Sequence, residues 1–103
     1  MAIAASNVTI ISGSATGAWI PLAPGPNILS VSSPSWDGSK TATLEQSDDD
    51  SELTKSALDL SGVALAPKAN KRYVVDGPGY VRATVSAYDG QPVTVTVKGA
   101  YQR

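Results

Sequence analysis

This sequence predicts an all-β fold: a single antiparallel β-sandwich or jelly-roll-like barrel of about seven or eight short strands. Three observations lead there. Apolar residues recur with a period of two, most cleanly at Val81, Ala83, Val85 and again at Val93, Val95, Val97. The alternating stretches are short and are separated by turn formers such as Pro24-Gly25-Pro26 and Asp89-Gly90-Gln91-Pro92. A length of 103 residues leaves room for one core.

The elements follow in chain order. "NVTIIS", from Asn7, is rich in β-branched residues and stops at Gly13-Ser14. "GAWIPLAP" carries Pro21 and Pro24, which cannot donate to a ladder and restrict it to an edge or irregular strand. After a turn at Pro24-Gly25-Pro26, "NILSVSS" places Leu29 and Val31 on one face and Ile28 on the other, ending at Pro34. "SKTATLEQS" turns Ala42 and Leu44 inward and Thr41, Thr43 and Glu45 outward. "KRYVVDG" is a short strand that ends at a turn, Gly77-Pro78-Gly79. The last two strands read as a hairpin, with Val81, Ala83, Val85, Val93, Val95 and Val97 in the core and Arg82, Thr84, Thr94, Thr96 and Lys98 outside. Between Asp50 and Asn70 helical and strand spacings coexist, and the expectation is a loop with a short strand or one helical turn. Residues 1–16 form an N-terminal arm or a first strand, and residues 17–103 the β-sandwich domain.

Composition removes whole classes of chemistry. With neither cysteine nor histidine, the chain has no disulfide, no thiolate, no imidazole base and no Ser-His-Asp or Cys-His arrangement. A formal net charge of −1 argues against nucleic acid as the main partner, and Lys68, Lys71 and Arg72 read as solvated loop charges. No apolar run approaches the ~20 residues of a membrane-spanning helix. The start of the chain lacks the basic and apolar regions of a signal peptide, so synthesis in the cytoplasm is expected.

The single acidic cluster, "QSDDDSE", offers Asp48, Asp49, Asp50 and Glu52 as oxygen ligands, but without the spacing and glycine of a calcium loop. Mutual repulsion and the preference of Asp for turns make it a solvated connection. Adjacent acids in one turn are also a poor source of the ~5–9.5 Å separation used in glycoside hydrolysis. Neither "GPG" nor "GSATG" is followed by the Lys-Ser/Thr pair of a phosphate-cradling loop. The expectation is a protein that is not an enzyme, with no catalytic, cofactor or metal site. Trp19, Trp36 and Tyr88 could serve a carbohydrate-binding module as stacking platforms, or could cap the core.

Two longer motifs carry a resemblance. Trp36, Gly38, Thr43, Leu44, Gln46, Ser47 and Asp48 form the first, and Gly79, Tyr80, Val81, Arg82, Ala83, Val85 and Ser86 the second. This order, over roughly residues 27 to 100, resembles small bacteriophage virion structural proteins of the capsid decoration (cement) or head-fibre type. The sequence departs from the pattern at "DDDSE", where Asp-Gly-Gly is usual, which lengthens that turn and leaves the register after it in doubt. The resemblance implies a capsid decoration protein on the outer head surface. A tail or fibre adaptor or receptor-binding subunit is the alternative. It further implies the major capsid protein or other virion proteins as partners, and the virion as location.

A small, disulfide-free chain with a hydroxyl-rich sheet face is expected to form a homo-oligomer, a trimer where a capsid lattice offers threefold sites. Interface candidates are Val8, Ile10 and Ile11 in the uncharged "VTII" run, together with Tyr80, Arg82 and Tyr88, which share outward parity near the end of the chain.

Overall fold

The computed structural model describes residues 7–49, 51, 53, 55–60 and 62–99. Among the described residues eight strands form: β1 (Asn7–Ile11), β2 (Ile20–Ser32), β3 (Thr41–Ser47), β4 (Ser56–Ala57), β5 (Asp59–Leu60), β6 (Val63–Ala64), β7 (Lys71–Ser86) and β8 (Val93–Gly99). The fold is all-β and antiparallel. Six strands make one sheet in the order β1-β8-β2-β7-β3-β4, and β5 and β6 pair separately. The ambiguous stretch after Asp50 contributes short strands and no helix among the described residues.

The faces are as the alternation predicts, but the neighbours are not. Val81, Ala83, Val85, Val93, Val95 and Val97 are all buried. Yet β7 and β8 are not a hairpin: β2 lies between them, pairing with β7 on one side and β8 on the other. A period of two fixes which way a side chain points and carries no information about which strand lies alongside. The connection from Ala87 to Pro92 is therefore an arch between strands that are not neighbours, and Ala87 adopts a positive φ of 55° at its start.

Both proposed internal turns are instead parts of long strands. Pro24-Gly25-Pro26 lies within β2 and Gly77-Pro78-Gly79 within β7, and the two meet, with Gly25 opposite Gly77 and Pro26 opposite Asp76. Between Leu22 and Gly25 β2 advances three residues while β7 advances two, from Gly79 to Gly77, which defines a bulge. The bulge switches the inward parity of β2 from Ile20 and Leu22 to Leu29 and Val31. Asn27, fully buried, satisfies the disturbed backbone. Its Oδ1 accepts from Ala23 N (3.0 Å), and its Nδ2 donates to the carbonyls of Ala23 (2.9 Å), Gly25 (2.9 Å) and Val75 (3.3 Å). Asn27→Ala should cost about 2–3 kcal/mol by stranding these buried groups, readable as a shift in urea midpoint. A change below 0.5 kcal/mol would mean that water replaces the side chain. The prolines of β2 sit where that strand has a neighbour on one side only, since β8 pairs with it from Asn27 onward.

The buried apolar residues form one cluster on one face of the sheet. That face closes on itself. Residues 15–17 continue the pairing beside the end of β7, with Gly17 N donating to Ala83 O and Val85 N to Ala15 O, both at 2.9 Å. Strand β1 packs onto them so closely that a Cβ at Gly17 would lie 2.9 Å from Cδ1 of Ile11. At the opposite end, the segment around β4 to β6 covers the outer edge of β3. Ala42 N donates to Pro67 O and Leu44 N to Leu65 O, each at 3.0 Å.

Candidate functional site

Because inner residues fill the core, the alternate residues of β1, β8, β2 and the first half of β7 form an outer face. Register places Ile10, Thr94 and Ser32 in one row, and Val8, Thr96, Ser30 and Arg72 in the next. Lys98, Ile28 and Val74 follow. Val8, Ile10 and Val74 are more than half exposed. The surface is a mosaic of β-branched and hydroxyl side chains with Arg72 and Lys98 at its margin. A groove of about 270 Å³ runs along it, lined by Ser30–Ser32 and Asn70–Arg72.

On the second half of β7 the outer face is different in kind. Arg82 is expected outside, and its parity is outward, but it is buried at 8% exposure. Its guanidinium lies over the Trp19 ring (4.3 Å to the centroid), and its Nε donates to Glu45 Oε1 at 2.8 Å across the β7–β3 pair. Glu45 also meets Lys55 at 3.6 Å. Arg82 is thus neutralised by Glu45 rather than offered to a partner. Tyr80, one step along, is half-buried beside a polar hollow of about 150 Å³ lined also by Asp48 and Asp76.

The pole where the β7–β8 arch crosses holds an ion pair that the sequence reading did not identify. Lys40 is fully buried, and its Nζ donates to Asp89 Oδ1 (2.7 Å), Ser33 Oγ (2.8 Å) and Gln91 O (3.1 Å). Asp89 also accepts from Ser35 Oγ, Asp37 N and Gln91 N, each at 3.0 Å. These bonds, led by that from Lys40, hold the Asp89 carboxyl well below the usual carboxylate range. Trp36 lies over Lys40, 5.0 Å from Nζ to the ring centroid, and its Nε1 donates to Asn70 Oδ1 at 2.7 Å. The geometry is that of a clasp: it fastens the loops around residues 33–40, 70 and 87–92 and leaves no buried polar side-chain atom without a partner among the described residues.

The six candidate interface residues therefore divide. Val8 and Ile10 are exposed on β1, whereas Ile11 is buried in the chain's own core. Tyr80 and Arg82 belong to the β7–β3 face. Tyr88 lies beyond the positive-φ Ala87, packs against the core and donates its backbone N–H to Ser14 Oγ at 3.1 Å. The aromatic residues considered for sugar stacking are engaged internally, Trp19 by Arg82, and Trp36 and Tyr88 by the core. No cluster of three or more metal-ligating His, Cys, Asp or Glu side chains occurs among the described residues. Comparison with known protein families, with characterised proteins and with solved structures finds no match to this chain.

Proposed function

We propose that this chain is a structural component of a bacteriophage virion, a capsid decoration protein that binds the outer head surface. The observation that carries the reading is the outer face of β1, β8, β2 and β7: an exposed array of Val8, Ile10 and Val74 among Thr94, Thr96, Ser30 and Ser32. Such a face suits docking on protein, because branched and hydroxyl side chains lose little rotamer freedom when covered and carry no charge to desolvate. The clasped pole supports the same reading, since a rigid part loses little entropy on assembly. The motifs that carry the resemblance fall at positions with clear structural work: Trp36 over the clasp, Gly38 and Gly79 at positive φ, and Leu44, Val81, Ala83 and Val85 in the core.

Under this reading the protein performs no chemistry. It adds contacts to the major capsid protein, and repetition over a lattice multiplies a weak single contact into stable attachment. Mass spectrometry of purified virions tests it through copy number relative to the major capsid protein. A number in the hundreds is expected. A handful would place the chain in the tail or a fibre instead, and absence from the particle would end the virion reading.

A further inference from the structure

Among the described residues, the open edges longer than the two-residue strands β4, β5 and β6 each carry some device against strand pairing, with one exception. The outer edge of β3 is covered by the segment around β4 to β6, through the bonds from Ala42 and Leu44. The one-sided stretch of β2 contains Pro21, Pro24 and Pro26, and that of β7 contains Lys71, Arg72, Asp76 and Pro78. Prolines and charges are what blunt an edge. Strand β1 pairs with β8 on one side, has no strand on the other among the described residues, and reads Asn-Val-Thr-Ile-Ile with neither charge nor proline.

We propose that β1 is a self-pairing edge: two copies of this chain join antiparallel, β1 to β1, about a twofold axis at Thr9. The inference does not depend on the virion reading. The strand is self-complementary in this register. A twofold at Thr9 sets Val8 of one copy opposite Ile10 of the other and repeats the pair, with all four side chains on the outer face. Val8 is 56% and Ile10 63% exposed in the single chain, so the pairing brings these apolar side chains flank to flank across the junction and gives partners to edge backbone groups that no strand of the described residues pairs. Identical antiparallel edges meet about a twofold. A threefold ring would need a second, different free edge, and the other open edges are blunted. Two copies, rather than the three expected from the sequence, follow.

The contact is small. Five residues of strand give a strip roughly 17 Å long, which falls short of the ~800 Å² per partner of a standard stable interface. Association is therefore reversible and concentration-dependent. Joined sheets would also extend the outer face of each copy across the junction, doubling the docking surface.

Sedimentation of the intact protein over a micromolar to millimolar range, beside the variant Ile10→Lys, tests this. The wild type is expected to pass from monomer to dimer, and Ile10→Lys to remain monomeric with unchanged circular dichroism and melting temperature, since residue 10 is exposed. The natural absence of cysteine permits a second measurement that fixes the register. Val8→Cys and Ile10→Cys variants, mixed and oxidised, should give a disulfide-linked heterodimer, while Val8→Cys alone should not, its two sulfurs lying on a diagonal. A wild type monomeric throughout, a trimer, a dimer unaffected by Ile10→Lys, or Val8→Cys linking to itself as readily as to Ile10→Cys would each overturn the proposal.

Discussion

Lys40→Met should lower the stability of the protein by about 3–5 kcal/mol, a large part of the ~5–15 kcal/mol available to a domain of this size. Methionine nearly fills the same volume, so the loss comes from charge and hydrogen bonding rather than from a cavity. Three donors disappear from a fully buried site, which leaves Ser33, Gln91 and Asp89 short of a partner, and the arch between β7 and β8 loses its tether. Lys40→Arg should not restore stability, because a planar fork cannot reproduce three diverging bonds from one nitrogen. Urea unfolding reads both. A midpoint unchanged within 0.5 kcal/mol would show that the clasp adds nothing net. The clasp also sets the sign of the acid response. A carboxyl lowered by folding contributes stability that is fully present above the ordinary carboxylate pKa of about 4 and is lost as pH falls below it. Asp89 is lowered first by Lys40 and next by the Asp37 N–H. The stability advantage of the wild type over Asp89→Asn should therefore shrink as pH is brought from about 5 towards 2. An advantage that stayed constant over that range would contradict the assignment.

Gly77→Ala should cost about 4 kcal/mol or more, the size of effect reserved for core clashes and broken backbone contacts. A Cβ at this position would fall on the carbonyl oxygen of Ala23, well inside van der Waals contact, with Cβ of Leu22 at 2.9 Å and the Ala23 carbonyl carbon at 3.0 Å. These are atoms of the β2 bulge, which Asn27 holds in place with four hydrogen bonds, so the backbone has little freedom to retreat. The contrast is Gly90→Asn in the arch. Its Cβ would meet nothing within 4 Å, so only the backbone strain of an L residue at a φ of 93° remains, and a cost of about 1–2 kcal/mol is expected. Equal midpoints for Gly77→Ala and the wild type would mean that β2 and β7 separate at the bulge without penalty.

How much of this was legible depended on what a residue reports. Side-chain direction was legible: Leu29, Val31, Ala42 and Leu44 are buried where alternation put them. Pairing was not, because Val81–Val85 and Val93–Val97 look the same whether they adjoin or flank β2. The Pro-Gly clusters misled for a physical reason: a bulge and a turn both need extra backbone freedom and a missing donor, so they draw on the same residues. The clasp left one trace. Carried back a step, the alternation of Leu44 and Ala42 reaches Lys40, a charged residue with inward parity. Its partner lies 49 positions away, beyond any local pattern. Val8 and Ile10 stood out as uncharged and β-branched, and they are exposed. Arg82 had the right parity but the wrong burial, because Trp19, just before β2, and Glu45, on β3, close over it from segments that no spacing rule connects.

The position of β8 between β1 and β2 bears on the chain as it is made. Among the described residues β1 pairs with β8 alone, with Asn7 opposite Val97, so it waits for a strand made much later. During translation the ribosome releases β1 before β8 can pair with it, and β2 with its β8-facing side bare. Ordering of both is postponed until Val93–Gly99 has cleared the exit tunnel. Contacts of such long sequence separation slow folding and lengthen exposure to neighbouring nascent chains. A ribosome stalled before Val93 would present sticky, incomplete sheets, and polysomes would hold many at close range. Completion of the sheet thus waits on β8, and the yield of folded protein becomes a matter of how quickly that strand is delivered.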